Sequence, residues 1–118
     1  MDIRSVSGKL VDYLNSHTEG GYTQHDGLKG GKLKCILIRN PTDKRDIIFL
    51  YEMKRSGFVR IETYKDWLDE LGLTYTSVRK GELFNKYADA GGWVIDPNDS
   101  IKLRGIMTDL LTMCKARF

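Results

Sequence analysis

Two β-rich runs, Lys32–Arg39 and Asp46–Lys54, flank Pro41-Thr-Asp-Lys-Arg45, and this arrangement constrains the fold of the chain most. Ile, Leu, Phe, Tyr and Cys fill the runs, residue types that suit a pleated, buried surface. Pro, Thr and Asp between them are turn chemistry. The pair therefore predicts a β-hairpin. Arg55-Ser-Gly57 is a second tight turn, leading into a short third run, Phe58–Glu62. An antiparallel meander of three strands is the simplest arrangement of these segments.

Helical periodicity brackets the meander. Ile3, Val6, Leu10, Val11 and Leu14 recur at offsets of three, four and seven, predicting an amphipathic helix over residues 3–14. Leu103, Ile106, Met107, Leu110, Leu111 and Cys114 do the same for a C-terminal helix beginning near Ser100. The glycine-rich stretch from Glu19 to Gly31 reads as a loop or irregular hairpin. Thr63, with Asp66 three residues on, predicts a capped helix over Tyr64–Leu71, stopped by Gly72. Residues 73–79 are rich in β-branched and aromatic side chains and suit a fourth strand. Glu82–Ala90 reads as a short helix ended by Gly91-Gly92, and Trp93–Asp96 as a last apolar strand closed by Pro97. The expected fold is α+β: a single domain over 1–118, with a meander of three or more strands packed against terminal helices and central short ones.

The chain is too short for two good cores, while its 41% apolar content suffices for one. No apolar run approaches the roughly 18–20 residues of a membrane span, and the N-terminus shows no signal-peptide pattern. A cytoplasmic, membrane-free protein is expected. Cys35 and Cys114 match no metal or redox spacing and are read as two buried thiols.

Charge is distributed unevenly. Between Lys29 and Arg60 nine Lys/Arg face three acids, Asp43, Asp46 and Glu52, a local excess of +6 in a chain whose total is +3. The remaining 86 residues are therefore net −3. Lys32, Lys34, Arg39, Lys44, Arg45, Lys54, Arg55 and Arg60 form the expected binding face, suited to an acidic protein partner or to phosphates.

Catalytic patterns are sparse. Glu52-Met-Lys54 places a carboxylate and an ammonium on one strand face, as in metal-dependent nucleases of the PD-(D/E)xK type, with Asp26 the remaining carboxylate if its loop folds back. Trp67–Lys80 resembles a helix-turn-helix, which would span 64–84 and offer Tyr75, Thr76, Ser77, Arg79 and Lys80 to a major groove. Leu68 and Gly81 depart from that pattern. Tyr22, Tyr51, Phe58 and Tyr64 lie near basic residues, in reach of stacking on single-stranded bases. His17 suits a helix C-terminus and His25 an exposed loop, with no further ligands at metal spacing. No G-x-S-x-G, P-loop or G-x-G-x-x-G occurs, and no cofactor is expected.

From Phe58 to Ile101 the order is short strand, Thr63, helix with Trp67-Leu68, strand, Glu82-Leu-Phe84, Gly91-Gly92 and Trp93-Val-Ile-Asp-Pro97. It resembles the N-terminal domain of SseB-like proteins over about a third of the chain. Asp96-Pro97 stands where that family has Asn-Pro, and Arg60-Ile-Glu62 replaces its Pro and Phe before the threonine. The resemblance implies a binding module and carries over no catalytic residue. The function expected from the sequence is a small non-enzymatic adaptor, inhibitor or phage-type regulator that binds through the basic hairpin. Nucleic-acid binding and metal-dependent nuclease activity are the alternatives.

Overall fold

The computed structural model describes the chain except Glu82, Asn85 and Lys86. Its elements are α1 (Ile3–Ser16), β1 (Thr23–Lys29), β2 (Lys32–Arg39), β3 (Asp46–Met53), β4 (Phe58–Tyr64), α2 (Lys65–Glu70), β5 (Ser77–Arg79), β6 (Ala90–Ile95) and α3 (Ser100–Arg117). The strands form one six-stranded antiparallel sheet in the order β1-β2-β3-β4-β6-β5. The α+β architecture expected from the sequence is present. No helix among the described residues is long and apolar enough to cross a membrane.

Residues opposite one another across a ladder share a face of the sheet. Ile36, Leu50, Ile61 and Trp93 form one such row, each opposite the next. They pack with Ile38, Ile48 and Ile95 against Val6, Leu10 and Leu14 of α1 and Leu103, Ile106 and Leu110 of α3. The other face carries a smaller cluster of Cys35, Leu37, Phe49, Leu83 and Ala90. Both faces of β2 and β3 are thus covered at mid-strand, which explains why these strands read as continuous apolar runs rather than alternating ones. The flanking helices are capped by aspartates: Asp2 accepts from the Ser5 N–H at 2.9 Å and Asp99 from the Lys102 N–H at 3.1 Å.

Some segments follow the expectation and others differ from it, for local reasons. The stretch expected as a loop or irregular hairpin contains β1, joined to β2 through Gly30 and Gly31 at φ 59° and 74°, a turn that the glycines make possible. Thr63 does not cap a helix. It lies in β4, its hydroxyl donating to the buried Ile47 carbonyl at 2.7 Å, and α2 starts after Tyr64 without a side-chain cap. Residues 77–79 pair with β6 as a strand, so the second helix of a helix-turn-helix does not form. Part of the helix expected over Glu82–Ala90 lies outside the described residues. Within it, the Leu83 N–H donates to Ala88 O and Ala90 opens β6. Gly91-Gly92, read as a helix stop, stands inside that strand.

Candidate binding cleft

The β2–β3 ladder runs from Arg39 opposite Asp46 to Ile36 opposite Leu50. Beyond Ile36, Leu33 and Cys35 pair outward with β1, while Tyr51, Glu52 and Met53 pair with β4. A cavity of about 520 Å³ opens at this end of the hairpin, with Lys34, Lys54, Arg60 and Arg79 on its walls. Among the described residues, Glu52 is the one acid on that lining.

Arg79 is fixed by a buried carboxylate. Its Nε lies 3.1 and 3.0 Å from the two Glu62 oxygens and its terminal nitrogen 2.7 Å from Oε1. Glu62 is 1% exposed, so the fork of donors is what compensates its desolvation. The same hydrogen bonding raises the Arg79 pKa further above its ordinary value. The guanidinium also lies 4.9 Å from the centre of the Tyr51 ring. Burial pushes the Tyr51 hydroxyl up to about 12. Arg60 stands opposite Tyr51 on β4, on the same face as Glu62. Its Nε is buried and meets no hydrogen-bond partner among the described residues. A buried donor left open in this way favours an acceptor arriving from outside.

The eight cations expected to form one face divide into two groups. Seven strand steps separate Lys32 from Arg39, about 23 Å at the usual rise. At the far end, Arg39 is paired with Asp46 at 2.9 Å and Arg45 with Asp43 at 3.6 Å. Arg45 also lies over Trp67, 5.1 Å from the ring centre. Lys44 occupies the turn at φ 62°. At the near end, Lys34, Lys54 and Arg60 line the cavity, while Lys32 and Arg55 are exposed beyond it. The sequence reading placed Arg79 on an expected fourth strand, or alternatively on a DNA-reading helix, but missed it as a cleft residue. Its alternation with Ser77 is the signal for a strand face.

Of the carboxylates considered for a nuclease, Glu52 lines the cleft together with Lys54. Asp26 lies on β1, two strands away from β3, and accepts from both terminal nitrogens of Arg4 at 2.9 and 3.2 Å. Among the described residues no group of three or more His, Cys, Asp or Glu is placed to hold a metal ion. His17 caps α1, its Nδ1 2.8 Å from Tyr13 O, and His25 meets the Thr23 hydroxyl at 2.8 Å. The four aromatics considered for base stacking serve different places. Tyr22 is in the helix-side core, Tyr64 packs on Trp67, Tyr51 lies under Arg79 and Phe58 is exposed. Both cysteines are free and buried, in different core clusters. The chain matches no protein-family model, no curated protein and no solved structure.

Proposed function

We propose that this protein is a cytoplasmic, non-enzymatic binding module that takes an acidic segment of a protein partner into the cleft between β2 and β3. The observation that carries the reading is the convergence of Lys34, Lys54 and Arg60 on one cavity, with the Arg60 Nε buried and open. Beside them, Leu28, Leu33 and Phe58 are 57%, 41% and 38% exposed. An apolar rim around a cationic centre suits a carboxylate flanked by apolar side chains. A nucleic-acid backbone would instead call for a continuous cationic track. Here Arg39, about five strand steps or 17 Å from Lys34, is paired with Asp46, and Arg45 beside it with Asp43. The resemblance of residues 58–101 to SseB-like N-terminal domains supports the same reading.

The test compares two probes by fluorescence anisotropy across a salt series: a synthetic peptide with a Glu cluster beside leucines, and a single-stranded oligonucleotide of equal charge. The peptide should bind, and Arg60→Met and Lys34→Gln should each weaken it about tenfold. Lys44→Gln should leave it unchanged. Preference for the oligonucleotide, with a salt slope that falls on Lys44→Gln, would replace this reading with nucleic-acid binding.

A further inference from the structure

The two edges of the sheet are treated differently. The β1 edge has an irregular register between Gly27 and Leu28 and carries the Arg4–Asp26 ion pair and Lys29, features that discourage further pairing. The β6 side is covered by β5, which has only three residues and pairs with Ala90, Gly91 and Gly92. The Gly92 carbonyl turns outward to the Thr76 N–H at 2.9 Å. Strand alternation then turns the N–H and C=O of Val94 to the same side. Among the described residues nothing pairs with them.

Beside this open edge runs an apolar groove of about 510 Å³ between β6 and α3, with Trp93, Ile95, Gly105 and Ile106 in its lining. A Cβ built on Gly105 meets nothing within 4 Å, so the groove is open over the helix backbone. Asp109 lies in the same lining, partly buried. Among the described residues no donor or cation meets its carboxylate, and burial holds its pKa above the ordinary carboxylate value. A partly desolvated, uncompensated carboxylate favours a cation in the occupant.

We infer that β6 and α3 form a second interaction surface, which takes a short extended peptide segment of a partner protein. The segment pairs with Val94 along the line of β5, seats an apolar side chain over Gly105 and presents a Lys or Arg to Asp109. This is β-strand addition, in which backbone hydrogen bonds give affinity and the groove gives selectivity. A second copy of this chain is a poorer occupant. Two-fold pairing of β6 about Val94 would bring the partner's chain against Gly92, where β5 already sits.

The probes are synthetic peptides that alternate valine and threonine around one central lysine or, as control, one glutamate. Binding is followed by calorimetry and by hydrogen exchange at the Val94 amide. The lysine peptide should bind and protect that amide, and the glutamate peptide should bind about tenfold more weakly. Val94→Pro removes an outward N–H that β4 does not use, and Gly105→Phe fills the groove from the helix side. Each should abolish binding while circular dichroism stays unchanged, and Asp109→Asn should remove the preference for lysine. Unchanged exchange at Val94 under saturating peptide would overturn the inference, as would binding that survives both blocking variants. Dimerisation dissolved by Val94→Pro would overturn it in favour of self-pairing.

Discussion

Glycine at position 92 is a packing requirement rather than a turn residue. A Cβ there would stand 2.0 Å from the Ile61 carbonyl oxygen and 3.0 Å from the Glu62 Cα. These are backbone atoms of the neighbouring strand, and they cannot rotate away as a side chain would. The close approach sits beside Glu62, whose buried carboxylate holds Arg79 on the cleft wall. Gly92→Ala should therefore force β4 and β6 apart and cost about 3 kcal/mol, the upper range for overpacking. Gly105→Ala meets nothing and should stabilise α3 by about 0.5–1 kcal/mol through helix propensity. Urea midpoints of the two variants, moving in opposite directions, check both statements. Equal shifts would show that the approach of β4 to β6 is not tight.

The β2–β3 hairpin was the most legible element, and its turn shows why. Asn40 is fully buried, and its Oδ1 accepts from the N–H groups of Thr42 and Asp43 at 2.9 and 3.1 Å. Its Nδ2 donates to Asp43 Oδ1 at 2.6 Å and to Arg45 O at 3.2 Å. Local chemistry of this kind is written in adjacent residues and can be read from them. Asn40→Ala should cost about 2–3 kcal/mol, since several groups lose partners at once. Thermal denaturation checks it, and a loss under 0.5 kcal/mol would mean that water replaces the amide. The helices at either end were legible for a similar reason, because a long 3.6-residue period leaves little choice. What was not legible depended on distant pairing. Thr63 has the sequence of a cap, but the Ile47 carbonyl sixteen residues away claims its hydroxyl. Gly91-Gly92 has the sequence of a helix stop, but β4 takes it as strand. The cleft was half legible. The sequence supplied Lys34, Lys54 and Arg60, but the grouping of cations depends on where the β2–β3 ladder ends, and Arg79 reaches the cleft only through β5.

At the scale of the whole molecule, the sheet separates two unequal cores, and nature has left one thiol in each. Cys114 lies in the cluster under α1 and α3, while Cys35 lies on the opposite face with Leu37, Phe49 and Leu83. Burial pushes both thiols from an ordinary 9.0 up to about 12. The native state thus holds these protons more tightly than the unfolded chain does. Their contribution to stability is present below pH 9 and is lost as pH rises from there toward 12. Near pH 8 both thiols are protonated and shielded, so alkylation at that pH reports opening of the surrounding core. Leu83 is 1% exposed and belongs to the smaller cluster. Leu83→Ala should cost about 3 kcal/mol by leaving a cavity there. The helix-side cluster contains none of the atoms removed. If the two cores open independently, iodoacetamide should label Cys35 many times faster in this variant while Cys114 keeps its wild-type rate, as peptide mass spectrometry after quenching would show. Equal acceleration at both thiols would mean that the two faces open together as one cooperative unit, and that the cleft side of the sheet cannot loosen to admit a partner while the helix side stays closed.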